Sequence, residues 1–468
     1  MKDTQIIIEP VQFIQLDNLS IYKKNNDHAR ATIMGIIPQE CEDECERLLM
    51  SNTYWKIKVK DEMESETFLF VGIIEEGKLH HQNELVSLEV SLISCSFLMD
   101  QVECNRSFQN AQMTYQQVLN FEKNAYGSFS FIMTTGENEQ IGDIIIQYCE
   151  TDWAFAKRMA SRLGTSIIPA CEVTGVKYWV GIPNRSKVVD INPIRYTTRK
   201  ALGEHIYKTR NGLDNLVEQD SVYYEIEDRE IYEIGQAVKF KNRVLYVYEV
   251  QTRLEGAELL HRYLIKEKSG FCIPRQYNSK QSGASIEGHV IDVLQDKVKV
   301  HLSIDEYQET STAKWFDYST VYSSPDGTGW YAMPEIGDAV RLYLPNETEE
   351  EGYIISAVHL VSTDENERSN PDHKSIKTKY GKEVLFTPSS LTLTNNKGMS
   401  IEILDGEGIN IVSNKKISII SDESVAVASM TADIQVIAPE SISIVQGETQ
   451  INLQENVAIS GAQLSVQE

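Results

Sequence analysis

Between about Leu385 and Val466 an apolar residue, any residue and a second apolar residue recur again and again. In order the doublets are Leu391 and Leu393, Ile401 and Ile403, Ile409 and Ile411, Ile417 and Ile419, Val425 and Val427, Ile434 and Val436, Ile442 and Ile444, Ile451 and Leu453, Val457 and Ile459, and Leu464 and Val466. The usual step between doublets is about eight residues. A period of two puts both members on one face of a strand, and turn formers such as Asn395, Gly398, Gly406, Asn414, Asp422, Pro439 and Gly447 stand between them. The pattern predicts a stack of very short strands joined by tight corners.

Nothing aromatic, no histidine and no cysteine follows Phe386. The Ile, Leu and Val side chains of the doublets are each worth about 1.5–3 kcal/mol only when removed from water. One short strand cannot hide them, so each unit must be covered by neighbours, as in a solenoid. Three arrangements satisfy this: three chains each forming one side of a triangular prism, a single chain using three segments per coil, or an antiparallel meander. In the first, ten segments per chain at about 4.8 Å per layer make a rod about 50 Å long.

The rest of the chain has a different texture. At 468 residues it exceeds a single core and predicts three or four domains. Strand patterns at Ile6–Ile8, Ala31–Ile37, Tyr54–Val59, Phe68–Ile74 and Leu85–Ile93, with a polar turn at Lys23–Asp27 and a short helix over Cys41–Met50, predict a first β-barrel within residues 1–140. His80 and His81 fall in a polar hairpin and read as solvated. In residues 141–280 a buried strand at Ile144–Gln147 leads into a helix. Glu150, Thr151 and Asp152 supply its cap and early negative charge, Ala156, Met159, Ala160 and Leu163 its inward stripe, and Gly164 its end. Lys157, Arg158 and Arg162 are expected on its outside. Short strands with a corner at Lys241–Asn242 then predict a second barrel.

Tyr277–Ser285 reads as a polar linker. Residues 286–362 carry five strands, with Val290, Val293, Val298, Val300 and Leu302 as one stripe, Val340, Leu342 and Leu344 alternating strictly, a turn at Asp326–Gly327, and a last strand at Tyr353–Val358. This suits a five-stranded barrel of the oligonucleotide/oligosaccharide-binding (OB) type. Residues 363–384 are expected to be a linker loop, and 385–468 the repeat.

Composition excludes several functions. The formal net charge is −25 and the pI about 4.9, with the acidic run Glu347–Glu351 on the small barrel itself. Nucleic acid and anionic lipid both require a basic surface, so neither is an expected partner. Seven cysteines scattered from Cys41 to Cys272 form no disulfide framework. Cys41 and Cys45 share a helix face, but no Cys or His follows at zinc-site spacing, so two half-buried thiols are expected and no metal or cofactor. Glu150 and Asp152 sit where a helix start favours acid, so no catalytic pair is assigned. No run of 18 apolar residues occurs, and the first residues lack a signal-peptide apolar region, so the chain is expected to be made and assembled in the cytoplasm.

Two stretches carry a family resemblance. The run from Ile146 to Arg158, with Gln147, Tyr148, Glu150, Asp152, Phe155 and Arg158, resembles a signature of VgrG proteins, in which hub and spike parts of a contractile tail are fused in one chain. The run from Gly329 to Val340, with Gly329, Trp330, Pro334, Glu335, Gly337 and Asp338, resembles a segment of the same family's OB domain. The resemblance implies a mainly β homotrimer: two hub barrels per subunit with small helices, an OB barrel as collar, and an intertwined triangular β-helix as spike. It also implies partners: a tube protein of the Hcp kind, baseplate proteins, a PAAR-type tip protein and effector cargo, with a target membrane met only in passing.

This sequence departs from the family in three ways. Val-Gly repeats are absent, no lysozyme-like insert or added C-terminal domain is expected, and no His-x-His pattern occurs in the repeat. A trimeric tailspike acting on or binding surface polysaccharide is the competing expectation, and it requires paired carboxylates and aromatic platforms on the solenoid. A receptor-binding adhesin is the third.

Overall fold

The computed structural model describes residues 5–60, 64–120, 125–185, 187–256, 258–355, 368–453 and 463. The chain forms two compact units, residues 1–359 and 360–468.

In the first unit one long antiparallel sheet runs through Gln5–Glu9, Trp55–Lys60, Glu66–Gln82, Leu85–Ser94, Arg30–Ile37 and Gln15–Lys24, then on through Arg243–Glu255, Glu258–Lys266, Val222–Asp228 and Arg195–Lys200. It curls around one core holding Leu19, Ile33, Trp55, Phe70 and Leu88, and a second holding Ile226, Val238, Leu245, Tyr263 and Phe271. The two barrels expected as separate bodies are therefore joined, through pairing of Ser20–Lys24 with Glu249–Arg253. The joining strand, Gln15–Lys24, is absent from the sequence reading because Asp17, Asn18, Ser20 and Lys23 disguise the alternation of buried Leu19 and Ile21. Lys23, expected in a turn, is itself buried, its ammonium 2.6 Å from Glu233 and 3.5 Å from Glu172.

Other local expectations agree with the structure. Lys241 and Asn242 have φ of 49° and 59°, the two left-handed positions of a tight hairpin that pairs Phe240 with Arg243. Glu42–Leu49 is helical, with Cys45 facing inward. His80 and His81 lie near the exposed end of Glu66–Gln82.

Between the barrels and the small five-stranded unit lies a third core, built on the helix Asp152–Arg162 with Phe108, Ile145, Trp153, Phe155, Met159 and Tyr178. The Thr151 hydroxyl accepts from the Ala154 N–H at 3.2 Å and caps the helix. At the other end Gly164, with φ 64°, lets the Thr165 N–H reach the Ala160 carbonyl and its own N–H reach Ser161. Ala156, Met159 and Ala160 are fully buried, as their spacing requires. Arg158 and Arg162 correct the reading: both are inside the protein, with side chains 3% and 5% exposed, because carboxylates from elsewhere in the chain meet them there.

The five-stranded barrel comprises Ser285–Leu294, Lys297–Leu302, Phe316–Asp317, Ala339–Tyr343 and Tyr353–Ile355. A parallel bridge from Tyr318 to Ile354 brings its two edge strands together. Val340, Leu342 and Leu344 fill its core, joined by Ile144 and Ile146 from the strand that leads into the helix. Residues 356–358 of the expected last strand lie outside the described residues. The segment Tyr277–Ser285, expected as a loose linker, is bound: Gln281 is fully buried and donates to the Ile146 carbonyl, and Asn278 donates to the Tyr148 carbonyl at 2.8 Å.

In the second unit Lys374–Lys377, Glu383–Thr387, Ser390–Thr394, Met399–Leu404 and Gly408–Ser413 form an antiparallel meander. The first strand lies within the stretch expected to be a linker loop and the second begins at its end; flanking Lys and Ser residues mask the pairing of Ile376 with Val384. Ile442–Gln446 and Thr449–Leu453 make a hairpin around Gly447. Among the described residues, 414–441 contain no strand, so Ile417, Ile419, Val425, Val427, Ile434 and Val436 are unpaired within the chain. Val457, Ile459, Leu464 and Val466 lie outside the described residues.

Candidate assembly sites

The first motif is a junction. Arg158 reaches three elements at once. Its Nε and Nη2 meet the Glu150 carboxylate at 2.8–3.1 Å, its Nη2 also donates to the Ile146 carbonyl at 2.7 Å, and its Nη1 meets Glu349 Oε1 at 2.7 Å. Arg162 takes the other oxygen of Glu349 at 2.5 Å. Burial alone would raise the Glu349 carboxyl, yet Arg162 and Arg158 together hold it below its ordinary value. Gln147 donates to the Glu150 carbonyl at 2.8 Å and to Asp152 at 2.9 Å, and Asp152 also accepts from Tyr126 at 2.9 Å and pairs with Arg106 at 3.1 Å. Phe155 stacks on Phe108 with centroids 5.9 Å apart and lies 5.3 Å from the Arg158 guanidinium.

Glu150, Asp152 and Arg158 are thereby spent on fixing the strand, the helix and the five-stranded barrel to one another. Glu349, Arg162, Gln281 and Arg106 belong to the junction and were missed in the sequence. Glu349 sits inside the run Glu347–Glu351, where nothing local separates a buried carboxylate from its exposed neighbours.

The second motif is a turn that anchors a loop. Gly329 has φ 143°, and a Cβ there would lie 2.4 Å from the Tyr322 carbonyl oxygen. The Trp330 N–H donates to that same oxygen at 2.8 Å, while its carbonyl accepts from Thr320. Pro334 leads into a turn closed by Asp338, which accepts from the Glu335 N–H at 2.8 Å. Gly337, with φ 96°, then donates to the Val290 carbonyl. The loop is held from within, yet Val321, Trp330, Tyr331 and Ile336 are 57–88% exposed on it. An ordered loop bearing exposed apolar groups suits contact with another protein surface.

The aliphatic doublets form the third site. The antiparallel register sets Phe386 opposite Leu391, Leu391 opposite Ile403 and Ile403 opposite Ile409 in one row, and Val384, Leu393, Ile401 and Ile411 in the next. Residues directly opposite in a ladder leave the same face, so the doublets merge into a continuous apolar stripe two residues wide. It is uncovered: Leu393, Ile401 and Ile403 are 43–44% exposed and Ile409 and Ile411 60–67%. In the terminal hairpin Ile442 faces Leu453 and Ile444 faces Ile451, repeating the stripe.

No group of three or more His, Cys, Asp or Glu side chains arranged to hold a metal occurs among the described residues. Burial raises the Cys45 thiol to about 11, which keeps it protonated and a poor ligand. A depression of about 670 Å³ between the third core and the small barrel contains Asp143, Asp317 and Glu350, and each carboxylate is tied to a cation: Lys314, Lys297 and Arg275.

No protein-family model and no curated protein matches the chain at a significant level. Solved structures do resemble it in fold. One is the E. coli c3393 protein, described as a component of the type VI secretion system with structural similarity to the bacteriophage T4 tail proteins gp27 and gp5. It superimposes with a TM-score of 0.53 at 13% identity over 75% of this chain and 99% of that one. Chains of the Francisella PdpA-VgrG complex superimpose with a TM-score of 0.56 at 10–12% identity, over 88% of this chain and 80–88% of theirs. The chain thus has a VgrG-like, mainly β fold, as its two motifs imply.

Proposed function

We propose that this chain is the structural hub and central spike of a contractile injection apparatus, acting as a homotrimer. The observation that carries the reading is the uncovered aliphatic stripe, which runs in register across successive strands and needs other polypeptide to dry it. Two further copies supply an identical stripe, and three identical faces closing on one axis leave no open sheet edge along the rod. That rod is the triangular β-helix expected from the repeat. Its dry aliphatic interior makes it stiff enough to be driven end-on through an envelope.

The remaining parts take matching roles. The joined barrels of the first unit form the hub that meets a tube protein of the Hcp kind and the surrounding baseplate proteins. The five-stranded barrel acts as an OB-type collar, with Val321, Trp330, Tyr331 and Ile336 facing a neighbouring subunit. A PAAR-type protein closes the tip, and effector cargo travels with it. Chemistry at a catalytic site plays no part in this reading, which rests on assembly alone.

The reading is tested by locating the protein in purified particles with an antibody to the intact chain, using electron microscopy. Label on the axis of a tube and baseplate is the expected result. Label confined to the far end of fibres would replace it with an adhesin. Reducing ends released from surface glycans by the purified protein would replace it with a polysaccharide-degrading tailspike.

A further inference from the structure

The depression beside the five-stranded barrel has no part in the assembly reading. Its volume of about 670 Å³ falls within the range of about 300–1,000 Å³ usual for small-molecule sites. The barrel lines it from three places. Lys297 opens the second strand after the turn at Gln295, Phe316 and Asp317 are the third strand, and Glu350 and Gly352 belong to the connection between the fourth and fifth. In barrels of the OB type the second and third strands, with the 1–2 and 4–5 connections, form the ligand face. Residues Gln109–Gln112 and Gly142–Asp143, next to the third core, complete the lining.

Charge limits what the depression can hold. Asp143, Asp317 and Glu350 are each tied to a cation: Lys314 at 2.5 Å, Lys297 at 2.6 Å and Arg275 at 3.1 Å. A phosphate or an ammonium group therefore meets no free counter-charge among these pairs, and a chain of net charge −25 disfavours anions in general. The groups left unspent are neutral. Among the described residues the Trp315 indole N–H, the Asn110 side-chain NH₂ and the whole amide of exposed Gln112 have no hydrogen-bond partner.

The indole is also held in place. Lys299, itself buried, donates to the Thr310 carbonyl at 2.6 Å and stands over the ring with its ammonium 4.8 Å from the centroid. Ala313 and Phe316 on either side of the indole anchor the segment in the interior. A peptide would be a second neutral, chain-like ligand, and peptides commonly bind by adding a strand to an open sheet edge. Here the bridge from Tyr318 to Ile354 occupies the edge beyond the third strand.

We propose that this depression binds a short uncharged oligosaccharide, with Trp315 as the platform for a sugar ring and Asn110 and Gln112 holding its hydroxyls. A pyranose presents C–H groups on its faces, which pack on an indole, and adjacent hydroxyls at its rim, which match the donor and acceptor of an amide. Each lining carboxylate is engaged with a cation, and none stands free as the proton donor that glycosidic cleavage needs, so the site holds a glycan without cutting it. This goes beyond the assembly reading and does not depend on how many chains associate.

Isothermal titration of the intact chain with cellotriose, maltotriose and tri-N-acetylchitotriose tests the proposal. At least one should bind with a Kd of about 1 mM or tighter and change the tryptophan fluorescence. Trp315→Ala should weaken that binding about tenfold, and Gln112→Ala, a change at an exposed side chain that leaves the fold alone, about threefold. Trp315→Phe should keep part of the binding but lose the fluorescence change, which separates a platform from a purely structural ring. Failure of all three sugars to bind would overturn the proposal, as would binding that Gln112→Ala and Trp315→Phe leave unaltered in strength and signal. Saturation by tetraglycine instead, with the same dependence on Trp315, would put a peptide in the depression and overturn the saccharide.

Discussion

Replacing Glu349 with alanine strips two buried guanidinium groups of a shared counter-charge. Glu349 is fully buried, and Arg158 and Arg162 lie 2.7 and 2.5 Å from its two oxygens with side chains 3% and 5% exposed. Neither arginine can be deprotonated, and neither reaches water without moving the helix Asp152–Arg162. Removing one partner of such a buried network costs about 3–5 kcal/mol. For a unit of this size each kcal/mol lowers the melting temperature by about 2 °C, so Glu349→Ala should melt about 6–10 °C below the parent protein. Glu349→Gln, which keeps the shape and one acceptor, should fall between.

Three further readouts sharpen this test. Because the two arginines hold the Glu349 carboxyl below its ordinary value, its contribution is present above the unfolded carboxylate pKa and is lost as pH falls toward the folded one. The gap in melting temperature between the parent protein and Glu349→Gln should therefore narrow from pH 7 to pH 4. A variant with Arg158, Arg162, Glu150 and Glu349 all replaced by apolar residues of similar volume should recover much of the loss, since burial without charge needs no compensation. Limited proteolysis should also show the five-stranded barrel opening first in Glu349→Ala. A shift under about 2 °C for that variant, with no pH dependence, would refute the view that this cluster fixes the barrel to the helix.

Other consequences are equally direct. Gly329→Ala forces a Cβ to 2.4 Å from a backbone oxygen at φ 143°, and should lower stability by about 1–3 kcal/mol by thermal unfolding, with increased proteolysis between Tyr322 and Trp330. Glu233 shares Lys23 with Glu172. Burial raises its carboxyl well above the ordinary value, Lys23 opposes this and Glu172 reinforces it, so its contribution falls away as pH rises through the folded pKa. Glu233→Gln should flatten that decline and melt no lower than the parent at pH 8; a large loss there would show that the carboxylate is charged. Ile419→Asp and Ile444→Asp each bring three like charges together in the proposed dry column and should lower the native mass and heat resistance of the assembly. Unchanged mass and melting behaviour in both would count against the shared axis.

Much of the architecture could be read from residue patterns, and what escaped did so for identifiable reasons. Alternation at Val340, Leu342 and Leu344, the corner at Lys241–Asn242, and the capped helix after Thr151 are all local signals, and each appears where the sequence put it. Gln15–Lys24 went unseen because a strand that buries a lysine against two glutamates looks like a polar turn. Arg158 and Arg162 look like surface charges in the sequence because their partner Glu349 lies 191 and 187 residues away. Sequence also marked both family motifs without revealing their role. Geometry shows Gln147, Glu150, Asp152 and Arg158 occupied in holding elements together, and Gly329, Gly337 and Asp338 in shaping a loop. The doublets were legible as one apolar face, but the repeat looks the same in every unit, so the pairing of neighbouring strands up to Ser413 and again at Ile442–Leu453 is not written in any one doublet.

The account depends most on what covers that face, and the native mass of the intact purified chain in dilute solution, by light scattering coupled to size exclusion, addresses it directly. Three times 53.1 kDa, unchanged on dilution, is the predicted value. A stable, soluble species of 53.1 kDa with its aliphatic stripe open to water would contradict it.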